Sequence, residues 1–282
     1  MKRYLKRIIK AVLNKNISEH YIQTKYIYAE RKRFSDKVAF ITGASGAIGE
    51  AIVWALAIEG AKVYIGGRNA EKLNTLSKEL ESKGLTGIPC SIDVSNEQSI
   101  KEAISNIIKA EDKIDILVNC AGGSSREKCA ELHEQNIEVI DDILNTNLRG
   151  SMLCTRAAAK YMVEKKYGKI VNISSVIADG GKPKFADYAA AKAGIIGYTK
   201  SCAQELAKYG INVNCVSPGY IQRGVFGEST KKYLQDTCFI NKFGTPDDIA
   251  SAVCFVASDE AGFIVGQNIK VDGGRSLGLH GD

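Results

Sequence analysis

The 282-residue chain has no uninterrupted apolar stretch near the roughly 18 residues of a membrane-spanning helix. Its basic N-terminus has an apolar stretch broken by Lys10, and no small-residue cleavage site follows, so a signal peptide is not expected. Eight cysteines (90, 120, 129, 154, 202, 215, 238 and 254) form no C-x-x-C and do not cluster with the three histidines. A zinc site is therefore not expected, nor any other metal. Several of these cysteines sit inside apolar segments, which suits buried free thiols in a reducing, cytoplasmic compartment. No internal repeat, low-complexity segment or domain-sized linker follows residue 34.

Acidic residues are scarce at one end. Residues 1–33 carry ten Lys/Arg and two Asp/Glu, a balance of +8, against +6 for the whole chain. The remaining 249 residues thus sum to −2. The expectation is a basic extension, 1–33, on a near-neutral domain, 34–282, with no nucleic-acid partner. In "MKRYLKRIIKAVLNK", residues Tyr4, Leu5, Ile8, Ile9, Val12 and Leu13 fall along one helical stripe with most cations off it. Such a helix can lie on an anionic membrane surface, or pack on its own domain or a neighbouring subunit. Packing on protein is favoured here, because it covers the stripe without requiring any special location.

From Lys37 onward, short β-branched runs alternate with helical patterns. "KVAFIT", "KVYIGG", "GIPCSIDV", "IDILVNCAGG", "GKIVNISSV", "INVNCVSPG" and "GQNIKVDGG" read as strands. Helices are expected between them, including one long helical region over about Glu134–Lys165, one over 186–208, and one after Thr245 as N-cap with Pro246 at its first position. The strands are almost continuously apolar, so both sheet faces must be covered. This is the signature of an α/β fold: a single doubly wound parallel-sheet Rossmann-fold domain.

"ITGASGAIGE" follows the first strand and opens the first helix, with Gly43, Gly46 and Gly49 three residues apart. Glycines there permit a tight turn and close approach of a pyrophosphate to a helix N-terminus. About 20 residues on, where an acid would bind the ribose 2′-hydroxyl of NAD, the chain has Gly66, Gly67 and Arg68. A guanidinium there suits a 2′-phosphate, so NADP(H) is the expected cofactor, with NAD(H) the alternative. The other reading of Arg68 is a surface residue capping the next helix.

These features resemble the short-chain dehydrogenase/reductase family, close to its classical branch, over about residues 36–274. "TGASGAIG" is similar to the family's cofactor loop, implying contacts from Gly43, Ser45, Gly46, Ala47, Ile48 and Gly49. "CSIDV" is similar to the segment whose Asp93 and Val94 would contact adenine. "NCAGG" resembles the Asn-Asn-Ala-Gly motif and brings in Asn119, Ala121 and Gly122. "SPGYI" brings in Pro218, Gly219 and Ile221, and "IKVDGG" matches a later landmark.

Tyr-x-x-x-Lys occurs four times: Tyr21/Lys25, Tyr28/Lys32, Tyr161/Lys165 and Tyr188/Lys192. In the family a catalytic serine usually lies thirteen residues before the tyrosine. Only Tyr188 has one there, Ser175 in "NISSV"; the other pairs have Leu148, Lys15 and Ile8. The resemblance implies a site of Ser175, Tyr188, Lys192 and Asn147, the last in "NTNLRG". Tyr188 would exchange a proton with a carbonyl or alcohol oxygen, and Ser175 would hydrogen-bond that oxygen. Lys192 would bind the nicotinamide ribose, and Asn147 would hold a water linking Lys192 to solvent. An ammonium about 5 Å from a phenolate, at an effective dielectric near 20, stabilises it by roughly 3 kcal/mol, about two pKa units. Both nicotinamide-contacting residues, Tyr188 and Lys192, also count as cofactor contacts.

Several positions depart from the family pattern. Ala47 stands where the cofactor loop usually has glycine, and Cys120 replaces the second asparagine. Arg223 stands where a threonine is frequent. The overall pattern is nearest to 3-oxoacyl-carrier-protein reductases and sugar or polyol dehydrogenases. Tyr209, after Lys208, stands where the former commonly have arginine. The loops expected to choose substrate hold Arg126, Lys182, Lys184, Arg223, Lys231, Lys232 and Lys242 with few aromatics, which fits a polar or anionic small-molecule carbonyl or alcohol; the other reading is that these are solvated loop charges. Family members are commonly dimers or tetramers, so a homo-oligomer, with a homotetramer as the specific expectation, is implied. The alternative from another class is a non-catalytic nucleotide-binding or scaffolding protein on the same fold.

Overall fold

The computed structural model describes residues 32–124, 126–222, 232, 237–240 and 243–278. Seven strands form one parallel sheet: β1 (Val38–Thr42), β2 (Lys62–Gly67), β3 (Gly87–Ser91), β4 (Ile116–Asn119), β5 (Gly168–Ile173), β6 (Ile211–Pro218) and β7 (Asn268–Val271). Their order is β3-β2-β1-β4-β5-β6-β7, parallel at every pairing. β1 and β5 are buried at every position, as expected of strands in a sheet covered on both faces, and in β5 this burial includes the polar Lys169 and Asn172.

The covering helices are α1 (Ala47–Ile58), α2 (Ala70–Glu81), α3 (Glu97–Glu111), α4 (Ile137–Leu144), α5 (Gly150–Lys165), α6 (Ala186–Leu206) and α7 (Pro246–Ala257). Residues of α1, α2 and α7 share one core with the sheet. Residues of α3, α5 and α6 share the other. The winding reverses between β1 and β4, which opens a crevice at the C-terminal strand ends.

Local chemistry sets the helix starts. Asn69 and Asn96 accept N–H groups at the first turns of α2 and α3. Thr245 and Asp248 form a reciprocal capping box at α7, with Pro246 in the first turn, as the sequence implies. The long helical region expected over Glu134–Lys165 is not one α-helix. It begins at Ile137, capped by Asn136, and residues Asn145–Arg149 form a π-helical turn before α5. The apolar periodicity runs through the turn unbroken, so the pattern gives no sign of it. A one-turn helix, Ile177–Gly180, also lies between β5 and α6, where no helix was expected.

The domain begins earlier than its first strand. Phe34 is buried in the core. Arg33 pairs with Glu59, through a 2.7 Å bond from one guanidinium nitrogen, and with Glu260 at 3.3 Å. No described helix is long and apolar enough to cross a membrane. All eight cysteines are free, with Cys154, Cys215 and Cys254 buried. Burial pushes the Cys154 thiol up to about 12 and that of Cys215 to about 11, so both stay protonated at neutral pH.

Candidate active site

The C-terminal tips of β1, β4 and β5 meet at the crevice. Thr42 is paired in register with Asn119, and Asn119 with Asn172. The Thr42 hydroxyl oxygen accepts the N–H groups of Cys120 and Ala121, both at 3.2 Å, and so pins the "NCAGG" turn to β1. The Asn119 side chain turns into the interior, not toward the crevice. Its amide nitrogen donates to Thr155 at 2.9 Å and Asn172 at 2.8 Å. Any cofactor contact at Asn119 is left to its main chain.

The glycine loop divides into two kinds of position. Gly43 has φ +68, and a Cβ there would lie 2.6 Å from the Ala121 Cα. A Cβ at Gly49 would lie 2.3 Å from the Gly43 carbonyl oxygen. Those two glycines are required by the fold. Gly46 is not: it is exposed, its φ of −87 suits any residue, and an added Cβ would meet only the Gly43 oxygen at 3.4 Å. Gly46 is also the N-cap of α1 and offers no side chain to cap it. The smallest residue therefore stands at an uncapped helix N-terminus that opens outward, a cradle suited to a pyrophosphate. Ala47, where family members usually have glycine, is the first residue of α1 and is exposed beside this cradle.

At the adenosine end, the helix cap is Asn69, which accepts the Lys72 N–H at 3.0 Å; Arg68 has no part in capping. Arg68 is exposed. The Asp93 carboxyl is held below the usual range by the Ser95 hydroxyl and N–H and, against the cost of burial, by the Arg68 charge. Val94 packs on Gly150, where a Cβ would come within 2.9 Å of its side chain. On the far side, Gly219 lies against Asp272, with space for no Cβ, and Ile221 bridges to Gly244.

The reaction end assembles from α6, β5, the π turn and the "NCAGG" turn. Tyr188 and Lys192 are one turn apart on α6, and the Lys192 ammonium is 5.6 Å from the Tyr188 ring centre. Lys192 is buried, and its ammonium donates to the Ile173 carbonyl at 2.8 Å. Asn147 is also buried. Its amide nitrogen donates to the Gly123 and Ile143 carbonyls, both at 3.0 Å. The Asn147 Oδ1 is buried with no hydrogen-bond partner among the described residues. A Cβ placed on Gly122 would lie 2.3 Å from that oxygen and 3.6 Å from the Lys192 ammonium. An unmatched buried acceptor beside a buried ammonium is a place for a bridging water. π turns recur at functional sites, and this one sets Asn147 into the crevice. Ser175 stands two residues past the end of β5, and its hydroxyl oxygen faces the Ile177 N–H at 3.4 Å.

Of the other Tyr-x-x-x-Lys pairs, Tyr161/Lys165 lies on α5, where Lys165 pairs with Asp112 at 2.6 Å. Tyr21/Lys25 lies outside the described residues, as does Tyr28. Among the loop cations, Lys182 sits 4.5 Å from the Phe185 ring centre, and Lys184 pairs with Glu131 at 3.0 Å. The latter pair joins the loop after "NCAGG" to the loop before Tyr188. Lys232 is exposed. Arg223, Lys231 and Lys242 lie outside the described residues, as does the Arg126 side chain.

Gly122 provides a test of this packing. At φ +148 an L-residue is strained, and a methyl group would drive Asn147 from its place. Gly122→Ala is expected to lower the melting temperature by several degrees, for roughly 1–3 kcal/mol of strain. It is also expected to weaken cofactor binding. Wild-type melting and cofactor titration in this variant would show that Gly122 does not abut Asn147 as described.

The chain's relatives agree with this architecture. A family model described as enoyl-(acyl carrier protein) reductase matches residues 43–276. The 3-oxoacyl-[acyl-carrier-protein] reductase FabG of Rickettsia felis is 39% identical over 244 residues, covering 86% of this chain and 97% of that protein. The BbsD subunit of (2S)-[(R)-hydroxy(phenyl)methyl]succinyl-CoA dehydrogenase from Thauera aromatica is 38% identical over 245 residues, covering 86% of this chain and 97% of that one. Among solved structures, a gluconate 5-dehydrogenase from Burkholderia cenocepacia in complex with NADP and tartrate superposes with a TM-score of 0.83 at 30% identity, covering 89% of this chain and 99% of that one. With its sheet order, glycine cradle and Tyr188/Lys192 turn in place, the chain belongs to the short-chain dehydrogenase/reductase family of oxidoreductases.

Proposed function

We propose that the protein is an NADP(H)-preferring oxidoreductase that interconverts a carbonyl and a secondary alcohol, with Tyr188 as general acid and base. The observation that carries this reading is the buried Lys192 ammonium, 5.6 Å from the Tyr188 ring, beside the unmatched Asn147 oxygen. The cofactor, when bound, supplies or accepts the hydride. Gly43, Ser45, Gly46, Ala47, Ile48 and Gly49 would hold its pyrophosphate, Arg68 its 2′-phosphate, and Asp93 and Val94 its adenine. Ala121, Gly122, Pro218, Gly219, Ile221 and the Asn119 main chain would line its nicotinamide half. In reduction Tyr188 donates its phenolic proton to the carbonyl oxygen, and Ser175 holds that oxygen by a hydrogen bond. Lys192 lowers the cost of the phenolate left behind. Asn147 and a water beside Lys192 return the proton from solvent.

The substrate proposed is a 3-oxoacyl thioester or a sugar or polyol. FabG relatives and the gluconate 5-dehydrogenase support these two classes, and the NADP in the latter supports the cofactor. Acetoacetyl-CoA and 5-ketogluconate, each with NADPH and with NADH, form the direct test. Turnover of neither, with no NADPH fluorescence change on binding, would favour the non-catalytic alternative.

The assembly proposed is a homotetramer. Phe263 is wholly exposed and Leu277 is 79% exposed, surface that a second copy would cover. Residues 1–31 lie outside the described residues, and their proposed role is packing on the domain or on a neighbouring subunit. A deletion of residues 1–31 spares the Arg33 ion pairs. It is expected to lower the melting temperature or change the mass seen by light scattering. Salt-sensitive sedimentation of the full chain with anionic vesicles, lost on deletion and with melting unchanged, would favour the membrane instead.

A further inference from the structure

Three consecutive residues at the tip of β5 grip α6. Asn172 donates its side-chain amide to Thr199 at 2.9 Å. The Ile173 carbonyl accepts the Lys192 ammonium at 2.8 Å. The Ser174 hydroxyl donates to the main-chain carbonyl of Lys192 at 2.7 Å. Asn172 and Ser174 are buried, and so are Thr199 and Lys192. The tip is itself fixed, because Ser174 and Val176 continue the ladder with β6 through N–H bonds to Val216 at 2.9 Å and Pro218 at 3.1 Å.

Two of the three grips fall on one residue. Lys192 is held at its ammonium by Ile173 and at its backbone by Ser174. A carbonyl in mid-helix already accepts a bond from the next turn and uses its second lone pair for a hydroxyl. That bond adds little to the helix itself. What it does fix is the position of α6 along β5 at the level of Lys192, one turn from Tyr188, and the residue next in the chain is Ser175.

We propose that Ser174 is a positioning residue: its hydroxyl, bonded to the Lys192 carbonyl, sets where the Lys192 ammonium stands relative to Tyr188 and Ser175. This rests on the reading of Tyr188 and Lys192 given under Proposed function. Thr199 offers a comparison. It lies two turns further along α6 and accepts a buried bond of similar length from the same strand tip, while its own hydroxyl donates to the Ile195 carbonyl.

The experiment compares Ser174→Ala, Thr199→Val and Tyr188→Phe in the full-length chain. NADPH affinity is read by fluorescence, and acetoacetyl-CoA and 5-ketogluconate serve as substrates. The pH profile is read in the oxidative direction with 3-hydroxybutyryl-CoA or gluconate and NADP. Oxidation requires Tyr188 to lose its proton, which a nearby ammonium favours. Loosening Lys192 should therefore move the rise in rate to higher pH, by about half to one unit for a small retreat of the charge. Ser174→Ala is also expected to lower kcat about tenfold through misplacement and to weaken NADPH binding. Thr199→Val should lower the melting temperature at least as much and leave the profile where it was. A Ser174→Ala profile that does not move, or a Thr199→Val profile that moves equally, overturns the proposal while Tyr188→Phe remains inactive. Activity retained by Tyr188→Phe overturns the reading of the site, and the proposal with it.

Discussion

Tyr188→Phe is expected to lower kcat by about three orders of magnitude while leaving the fold and cofactor binding intact, in line with the 10²–10⁴-fold contribution typical of a positioned acid or base. Tyr188 is half-buried on α6, and its ring packs with the cluster of Val139, Ile143 and Ala191. Phenylalanine keeps that ring and the contacts it makes, so stability should barely change. Only the hydroxyl goes, and with it the proton that the substrate oxygen needs. The Lys192 ammonium, held by the Ile173 carbonyl 5.6 Å from the ring centre, stays in place but is left with no phenol whose ionisation it can favour. The measurement is steady-state turnover beside a thermal melt and an NADPH titration. Retention of more than about a tenth of wild-type kcat is far outside the range for loss of a general acid, and would remove Tyr188 from the chemistry. A collapse in melting temperature would instead point to a structural role for the hydroxyl.

The parts of this site legible in the sequence are those with a period or a punctuation mark. A strand, a glycine turn and a helix follow one another at residues 38–58, and continuous apolar strands announce a sheet covered on both faces. Tyr188 and Lys192 share a helix face because four residues make about one turn. Selecting that pair from four candidates needed Ser175, and its spacing comes from family resemblance, not from periodicity. The residues that hold the site together carry no such mark. Thr42, Asn172, Ser174 and Thr199 are buried small polar residues in or directly after strands, or in a helix. The partners that tie them to other elements lie 18 to 79 residues away in the chain, so no local pattern reveals them. The π turn was hidden for a related reason. One extra residue per turn at Asn145–Arg149 shifts the helix face, but the apolar residues on either side still satisfy an ordinary helical period. The role of Asn147 as the wall behind Gly122 follows from that shift.

Cofactor choice depends on a place where the sequence has no acid. Gly66 and Gly67 both end β2, yet only one can accept a side chain. A Cβ on Gly66 would lie 2.7 Å from the Ile41 carbonyl oxygen, which cannot move. A Cβ on Gly67 would meet only the flexible end of Leu73 at 3.2 Å and the Ser45 hydroxyl at 3.6 Å. Gly67→Asp should therefore fold, with its carboxylate beside Arg68 at the mouth of the crevice. There it would accept hydrogen bonds from an unphosphorylated ribose and repel a 2′-phosphate. Two like charges about 5 Å apart, at an effective dielectric near 20, repel by roughly 3 kcal/mol, or about two orders of magnitude in kcat/KM. The expected result is a wild-type enzyme that prefers NADPH and a Gly67→Asp variant whose preference turns toward NADH. Arg68→Ala is expected to lose NADPH preference more modestly, by about tenfold, since it removes an attraction that water screens and adds no repulsion. A wild-type kcat/KM for NADH equal to or above that for NADPH would sink the assignment of Arg68 to the 2′-phosphate. If the wild type prefers NADPH and Gly67→Asp leaves that preference intact, the 2′-phosphate does not sit at the end of β2, and the preference has another source.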